Sequence, residues 1–189
     1  MDHAGQRDEL VDSAGAALAC VMEHASIIAG HQLCSDLAVL SRTSGDRPPA
    51  VVAASGAWRR RKQHPADRPR FIDTRYDTSQ LLTCQSRRLV DICADLQLDV
   101  TQPELRSTSM TALHRRWLEH RDISAREKIT VLNLRHSLST AIVAARAAGL
   151  GWWQPGLHVN RLLASGLGSE FDWLTDPRFT ALLGEPDVA

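Results

Sequence analysis

The residues best suited to contact an acidic partner lie in a basic run from Arg59 to Arg75. The run holds seven Arg and Lys residues against two Asp residues, a local charge of +5 that leaves the rest of the chain at −5. Guanidinium groups on a flexible loop beside Trp58 can neutralise phosphates and stack on bases. The sequence therefore predicts contact with nucleic acid, or with another acidic surface, by Arg59, Arg60, Arg61, Lys62, Arg68 and Arg70.

A different interpretation makes this run a solvated loop, or a loop that docks on an acidic patch of the protein itself or of a partner. Short runs rich in Lys and Arg are common, so the pattern is weakly specific. The contact hypothesis makes a distinct prediction. Alanine at Arg59, Arg60 and Arg61 weakens binding without lowering the melting temperature.

A second set has the residue types that bind zinc, and it consists of Cys20, His24, His31 and Cys34. On one continuous helix the outer two lie roughly 21 Å apart, at about 1.5 Å of rise per residue. Only a chain reversal near Gly30 brings all four to one metal ion. The set supports an alternative function as a metal-binding enzyme or sensor. The simpler interpretation makes both cysteines small hydrophobic residues at the edge of the core, with no metal and no other cofactor.

Five large aromatic residues follow residue 150, among glycines and prolines. Such rings are enriched at protein interfaces, and they also cover the open ends of helical cores. The sequence predicts that Trp152, Trp153 and Trp173 form an interface with a protein partner or with a second copy of the chain.

Catalytic motifs are absent from the sequence. It contains no His-Glu-x-x-His, no Gly-x-Ser-x-Gly, no Walker loop and no Gly-x-Gly-x-x-Gly. The histidines are scattered, and the acidic residues near His120 are better explained as helix caps and solvated groups. The sequence therefore favours a binding protein over an enzyme.

The element that positions much of the chain is a long helix predicted from Ser124 to Ala148. Ser124 and Glu127 form a capping-box pattern at its start, and Gly149 supplies a left-handed stop. Apolar residues recur on two faces, which is typical of a central helix packed between neighbours. The polar residues form a narrow seam between those faces, at Lys128, Arg135, Ser139 and Arg146.

The rest of the chain also follows helical periodicity. We predict helix over residues 6–41 with a kink or turn at Gly30, a break at 42–49, and an ambiguous short segment at 50–58. An exposed loop at 59–75 follows, then helix over 77–97 and a linker at 98–101. A helix beginning near Pro103 forms an antiparallel hairpin with the central helix, and short helices follow at 157–164 and 177–183. The predicted fold class is all-α, an irregular bundle of about four to six helices. We predict a single domain over 1–189, with a candidate sub-boundary in 42–76 that separates 1–41 from 77–189.

Composition is ordinary for a globular protein, with 43% hydrophobic and 23% charged residues. The 22 basic and 22 acidic residues cancel, which argues against a whole-molecule nucleic-acid binder and leaves only local charge. Neither a secretory signal nor a membrane span is predicted, so the expected location is the cytoplasm, with reduced cysteines. Together these features predict a regulatory or adaptor protein that binds a protein partner or itself, contacts nucleic acid through the Arg-rich loop, and does not bind membranes.

Overall fold

The computed structural model describes residues 4–43, 48–100, 102, 105, 107–166, 177 and 181. The chain divides into two compact units, an N-terminal unit (Met1–Thr83) and a C-terminal unit (Cys84–Ala189). In the described residues eight helices dominate, and two short parallel two-stranded sheets accompany them. The predominantly helical character is confirmed. The single domain, its sub-boundary and the arrangement as one irregular bundle stay predictions.

The N-terminal unit is built around a parallel pair of strands that is bridged by two helices. In chain order its elements are α1 (Ala4–His24), β1 (Ile27–Gly30), α2 (Leu33–Thr43), α3 (Pro49–Arg60), β2 (Arg70–Asp73) and α4 (Thr78–Leu81). The strands pair in register from Ile27 with Arg70 to Gly30 with Asp73. Parallel strands need a long crossover connection, and α2 and α3 supply it. The core of this unit consists of Ile28, Leu37, Val51, Ala54 and Phe71.

Two predictions are wrong in this unit, because β1 interrupts the helix expected over 6–41 and β2 closes the loop expected over 59–75. A short buried strand shows no polar alternation, so its four residues resemble part of a helix pattern. A turn does replace a continuous helix at Gly30, as one alternative predicted. A Cβ atom there would lie 2.6 Å from the Leu33 Cβ atom, so only glycine fits.

The C-terminal unit contains a helical hairpin and a second parallel strand pair. Its elements are α5 (Leu89–Asp95), β3 (Leu98–Asp99), α6 (Met110–His120), α7 (Ile123–Ala147), β4 (Leu157–His158) and α8 (Val159–Gly166). Strand β3 pairs with β4, with Asp99 opposite His158. The helix predicted over 77–97 is therefore two short helices, α4 and α5, and the predicted linker at 98–101 contains a strand. The helix predicted at 157–164 starts later because β4 precedes it.

The predicted hairpin is present as α6 and α7, whose facing residues Leu113, Ala125, Ile129 and Leu132 form a buried cluster. The helix predicted to begin near Pro103 begins at Met110 instead, capped by the Ser109 side chain. Pro103 itself and most of the helix predicted at 177–183 lie outside the described residues. The predicted N-terminal cap of the long helix is wrong. Asp122 caps it instead, accepting a hydrogen bond from the Ala125 amide at 3.1 Å. 

The polar seam predicted on α7 has two fully buried members, Arg135 and Ser139. The Arg135 Nε atom donates to Asn160 Oδ1 on α8 at 2.6 Å, and Ser139 donates to the Arg135 carbonyl at 2.7 Å. Arg135 therefore supplies a buried polar contact between α7 and α8.

In the described part of the chain, no helix combines the length and the apolar character required to cross a membrane.

Candidate nucleic-acid interface

The structure divides the Arg-rich stretch among three elements. Arg59 and Arg60 form the last turn of α3, residues 61–69 form a connection, and Arg70 begins β2. The exposed loop is thus anchored at both ends by regular structure. Two carboxylates hold these ends, Asp73 at the carboxyl end of β2 and Asp77 four residues later.

Asp73, at the end of β2, is the centre of this anchor. Its carboxylate is fully buried and accepts four hydrogen bonds. The Gln32 and Leu33 amides donate at 3.0 Å, the Arg75 amide at 3.0 Å and the Trp58 indole Nε1 at 2.9 Å. Because Leu33 is the first residue of α2, Asp73 caps that helix from the neighbouring strand. The same carboxylate fixes Trp58 on α3.

Arg61 is the second part of the anchor. Its Nε and Nη2 atoms donate to the two Asp77 carboxylate oxygens at 2.9 and 3.0 Å, and the side chains are only 8% and 9% exposed. Its guanidinium also lies 4.1 Å from the Trp58 ring centroid and donates to the Trp58 carbonyl. Asp77 also accepts a hydrogen bond from the Asp73 backbone amide at 2.8 Å. Arg61 therefore stabilises the fold and is not available to a partner while this pair is intact.

The other predicted contact residues lie at the surface. Arg59, Arg60, Lys62 and Arg68 are exposed, and Arg70 is half-buried. Lys62 also lies 3.8 Å from an Asp77 oxygen, yet its side chain remains 49% exposed. We call Arg59, Arg60, Lys62 and Arg68 the basic surface. One exposed carboxylate, Asp67, lies within the same segment, so positive charge predominates there.

The four predicted metal-ligand residues are not gathered into one site. Cys20 and His24 are exposed on α1, and Cys34 is half-buried in α2. His31 follows β1, where its Nδ1 atom lies 2.9 Å from Thr74 Oγ1. Among the residues that the structure describes, no three His, Cys, Asp or Glu side chains are placed to hold a metal ion.

The predicted aromatic interface residues have different environments. Trp152 is 71% exposed, beside Leu150 at 72%. Trp153 is half-buried, donates its indole N–H to the Leu96 carbonyl at 3.1 Å, and lies under the Arg146 guanidinium. Trp173 lies outside the described residues. Trp152 is thus available to a partner, whereas Trp153 helps to hold the C-terminal unit together.

Sequence reasoning missed a buried polar group in the C-terminal unit, where Asn160 links Arg135 to His158. The Asn160 amide donates to His158 Nδ1 at 3.2 Å, and the other ring nitrogen of His158 lies 3.7 Å from an Asp99 oxygen. An arginine set between the two apolar faces of a central helix was the available signal. Its partner on α8 is 25 residues away and has no signal of its own.

Burial shifts the pKa values of Cys93 and Asp36. Burial, reinforced by the neighbouring Cys84, raises the pKa of the Cys93 thiol to about 12. Burial, and then the Asp73 carboxylate, raises the pKa of Asp36 in the first turn of α2. Cys93 is therefore protonated and inert at neutral pH, as expected of a core cysteine.

Comparisons of this chain with models of known protein families, with curated proteins and with solved structures give no match. Its function is accordingly argued from the geometry and the charge of the described residues.

Proposed function

We propose that this protein is a non-catalytic regulatory or adaptor protein that contacts nucleic acid through the basic surface. The observation that carries the proposal is that adjacent basic residues differ in exposure, one being buried in an ion pair and the others lying at the surface. Arg61 is held by Asp77, while Arg59, Arg60, Lys62 and Arg68 are exposed, Lys62 with only a 3.8 Å contact to the same carboxylate. Anchoring of this segment through Arg61 supports the proposal, because less conformational freedom is lost when the exposed cations meet phosphates.

The chemistry of the basic surface favours phosphates over other acidic groups. Three of its four cations are arginines, whose planar fork matches phosphate oxygens in pairs. The chain is neutral overall, so attraction depends on the local surface and acts over about 10 Å at 0.1 M salt. We therefore expect sequence-independent binding of moderate strength, with dissociation constants of about 1–100 μM at physiological salt.

A salt series tests this proposal directly. Fluorescence anisotropy of a labelled DNA duplex and of an RNA strand measures affinity as salt is raised. Neutralising four phosphates predicts a slope of log affinity against log salt of about −3.6 for the duplex and about −2.8 for a single strand. Failure to bind either probe at low salt would retire the proposal.

A protein contact through Trp152 is the second part of the proposed function. The exposed pair Leu150 and Trp152 supports it, because two large apolar side chains lie side by side in solvent. Arg146, Gly149 and Gly151 complete a shallow surface pocket beside them. The partner is a second copy of the chain or another protein, and the cytoplasm stays the predicted location. The metal-binding alternative has no gathered ligand set to support it.

A further inference from the structure

A pocket of about 250 Å³ lies between α2 and α3, next to the basic surface. It shares Arg59 with that surface. Its lining combines apolar, hydroxyl and cationic side chains, among them Ala38, Ser41, Arg42, Ser55, Trp58 and Arg59.

The apolar part of the lining includes Leu37, whose side chain is buried, and Trp58, whose ring is held in position. The ring cannot turn freely, because its Nε1 atom donates to Asp73 and Arg61 stacks on it. A fixed aromatic wall beside an aliphatic floor suits a flat, apolar-faced ligand group such as a nucleobase.

The rest of the lining is polar and cationic. Arg42 in the last turn of α2 and Arg59 in the last turn of α3 both line it, together with the hydroxyl-bearing Ser41 and Ser55. No carboxylate is among its described lining residues. Two guanidinium groups with two hydroxyl groups form a set of donors for phosphate oxygens.

We infer that this pocket binds one unpaired nucleotide, with the base against Trp58 and Leu37 and the phosphate at Arg42 and Arg59. For a nucleotide within a nucleic-acid strand, the inference rests on the proposed function, because Arg59 belongs to both the pocket and the basic surface. At about 250 Å³ the pocket lies just below the usual range for ligand sites, about 300–1,000 Å³, so it takes at most one nucleotide and not a base pair. A base within a duplex reaches it only after unstacking, which disfavours the duplex. Single strands and free nucleoside monophosphates share the required chemistry.

Filling the pocket tests this inference with a matched pair of variants. Ala38→Phe places a ring in the pocket, whereas Val39→Phe adds the same ring at the adjacent α2 position, which is 60% exposed and does not line the pocket. Affinities are measured for a single-stranded oligonucleotide, for its duplex and for adenosine monophosphate as a competitor. For the wild type we expect the single strand to bind about tenfold tighter than the duplex, the effect of one stacked base.

Ala38→Phe should remove that tenfold preference and leave duplex binding unchanged, and Val39→Phe should change neither. Ser55→Leu, on the α3 side of the pocket, should repeat the loss if Ala38→Phe fails to fold by circular dichroism. Competition by adenosine monophosphate that both filling variants abolish would show that the pocket also takes free nucleotides.

The outcomes separate this inference from the proposed function. Salt-dependent duplex binding with no single-strand preference, and no effect of pocket filling, overturns the pocket and keeps the basic surface. Binding of adenosine monophosphate alone, lost on filling, keeps the pocket and overturns nucleic-acid binding by the basic surface. Absence of binding to all three probes overturns both.

Discussion

Arg61 and Asp77 form a two-point ion pair in which each side chain is less than a tenth exposed. The pair joins the residue after α3 to the residue before α4, and so it anchors the start of the Arg-rich connection. It also gives Arg61 a structural role that the neighbouring arginines lack. Arg59 and Arg60 precede Arg61 directly, yet both are exposed.

The first prediction concerns this separation. Arg61→Ala should lower the free energy of unfolding by about 3 kcal/mol, because it removes the two-point partner of the buried Asp77 carboxylate and leaves only the 3.8 Å contact to Lys62. Arg59→Ala should change it by less than about 0.5 kcal/mol, as is usual for an exposed position. Thermal and urea unfolding of the two variants measure the difference. Equal stability of the two would show that the ion pair does not anchor the loop. The expectation that alanine at all three arginines leaves the melting temperature unchanged thus needs revision at Arg61.

The second prediction concerns Asp73. Asp73→Asn replaces one acceptor oxygen with an N–H donor, which then faces the two donors that met that oxygen. We expect a loss of at least about 2 kcal/mol, the penalty for buried donors left without acceptors. Asp67→Asn is the control, since Asp67 is exposed. Thermal unfolding measures both variants, and equal melting temperatures would show that the cap on α2 contributes nothing to stability.

The third prediction concerns pH and the start of α7. The Ala125 amide, followed by the Arg116 side chain, lowers the pKa of Asp122 in the folded protein. The unfolded state therefore takes up the proton first, and the stabilisation by Asp122 is complete above its ordinary pKa of about 3.9. It is lost as pH falls through the lower folded pKa.

Asp122→Asn should thus be less stable than wild type at pH 7, and the gap between them should narrow below about pH 4. Ser124→Ala should match wild type at every pH, because Asp122 and not Ser124 caps the helix. Urea unfolding across pH measures both. A gap that is constant with pH, or a loss in Ser124→Ala equal to that in Asp122→Asn, would contradict the assignment.

The fourth prediction separates two adjacent tryptophans. Trp153→Ala should lower the melting temperature, because it removes a half-buried ring and its hydrogen bond to Leu96. Trp152→Ala should leave the melting temperature unchanged and weaken self-association, which sedimentation across a concentration series detects. Unchanged self-association in Trp152→Ala would remove this residue from the proposed interface between copies.

Local patterns predicted the helical hairpin well, because α6 and α7 are adjacent in sequence and their apolar spacing is regular. The strand pair was not predictable in the same way. Ile27 finds its partner at Arg70, and four residues inside a helical pattern carry no signal of a distant strand. Residues 59–61 are three identical arginines, and only the distant Asp77 makes Arg61 different. The pocket was equally hidden, since its lining comes from two separate helices, α2 and α3.

The most direct test of the central claim compares two double variants of equal charge. Arg59→Ala with Arg60→Ala removes half of the basic surface, and Arg115→Ala with Arg161→Ala removes two exposed arginines from helices α6 and α8. Fluorescence anisotropy of a labelled duplex across a salt series measures affinity, and thermal unfolding confirms that both variants are folded. We predict that the first variant binds several-fold more weakly, with a salt slope shallower by about 2, and that the second binds like wild type. Equal losses in both variants, or no loss in the first, would contradict the account.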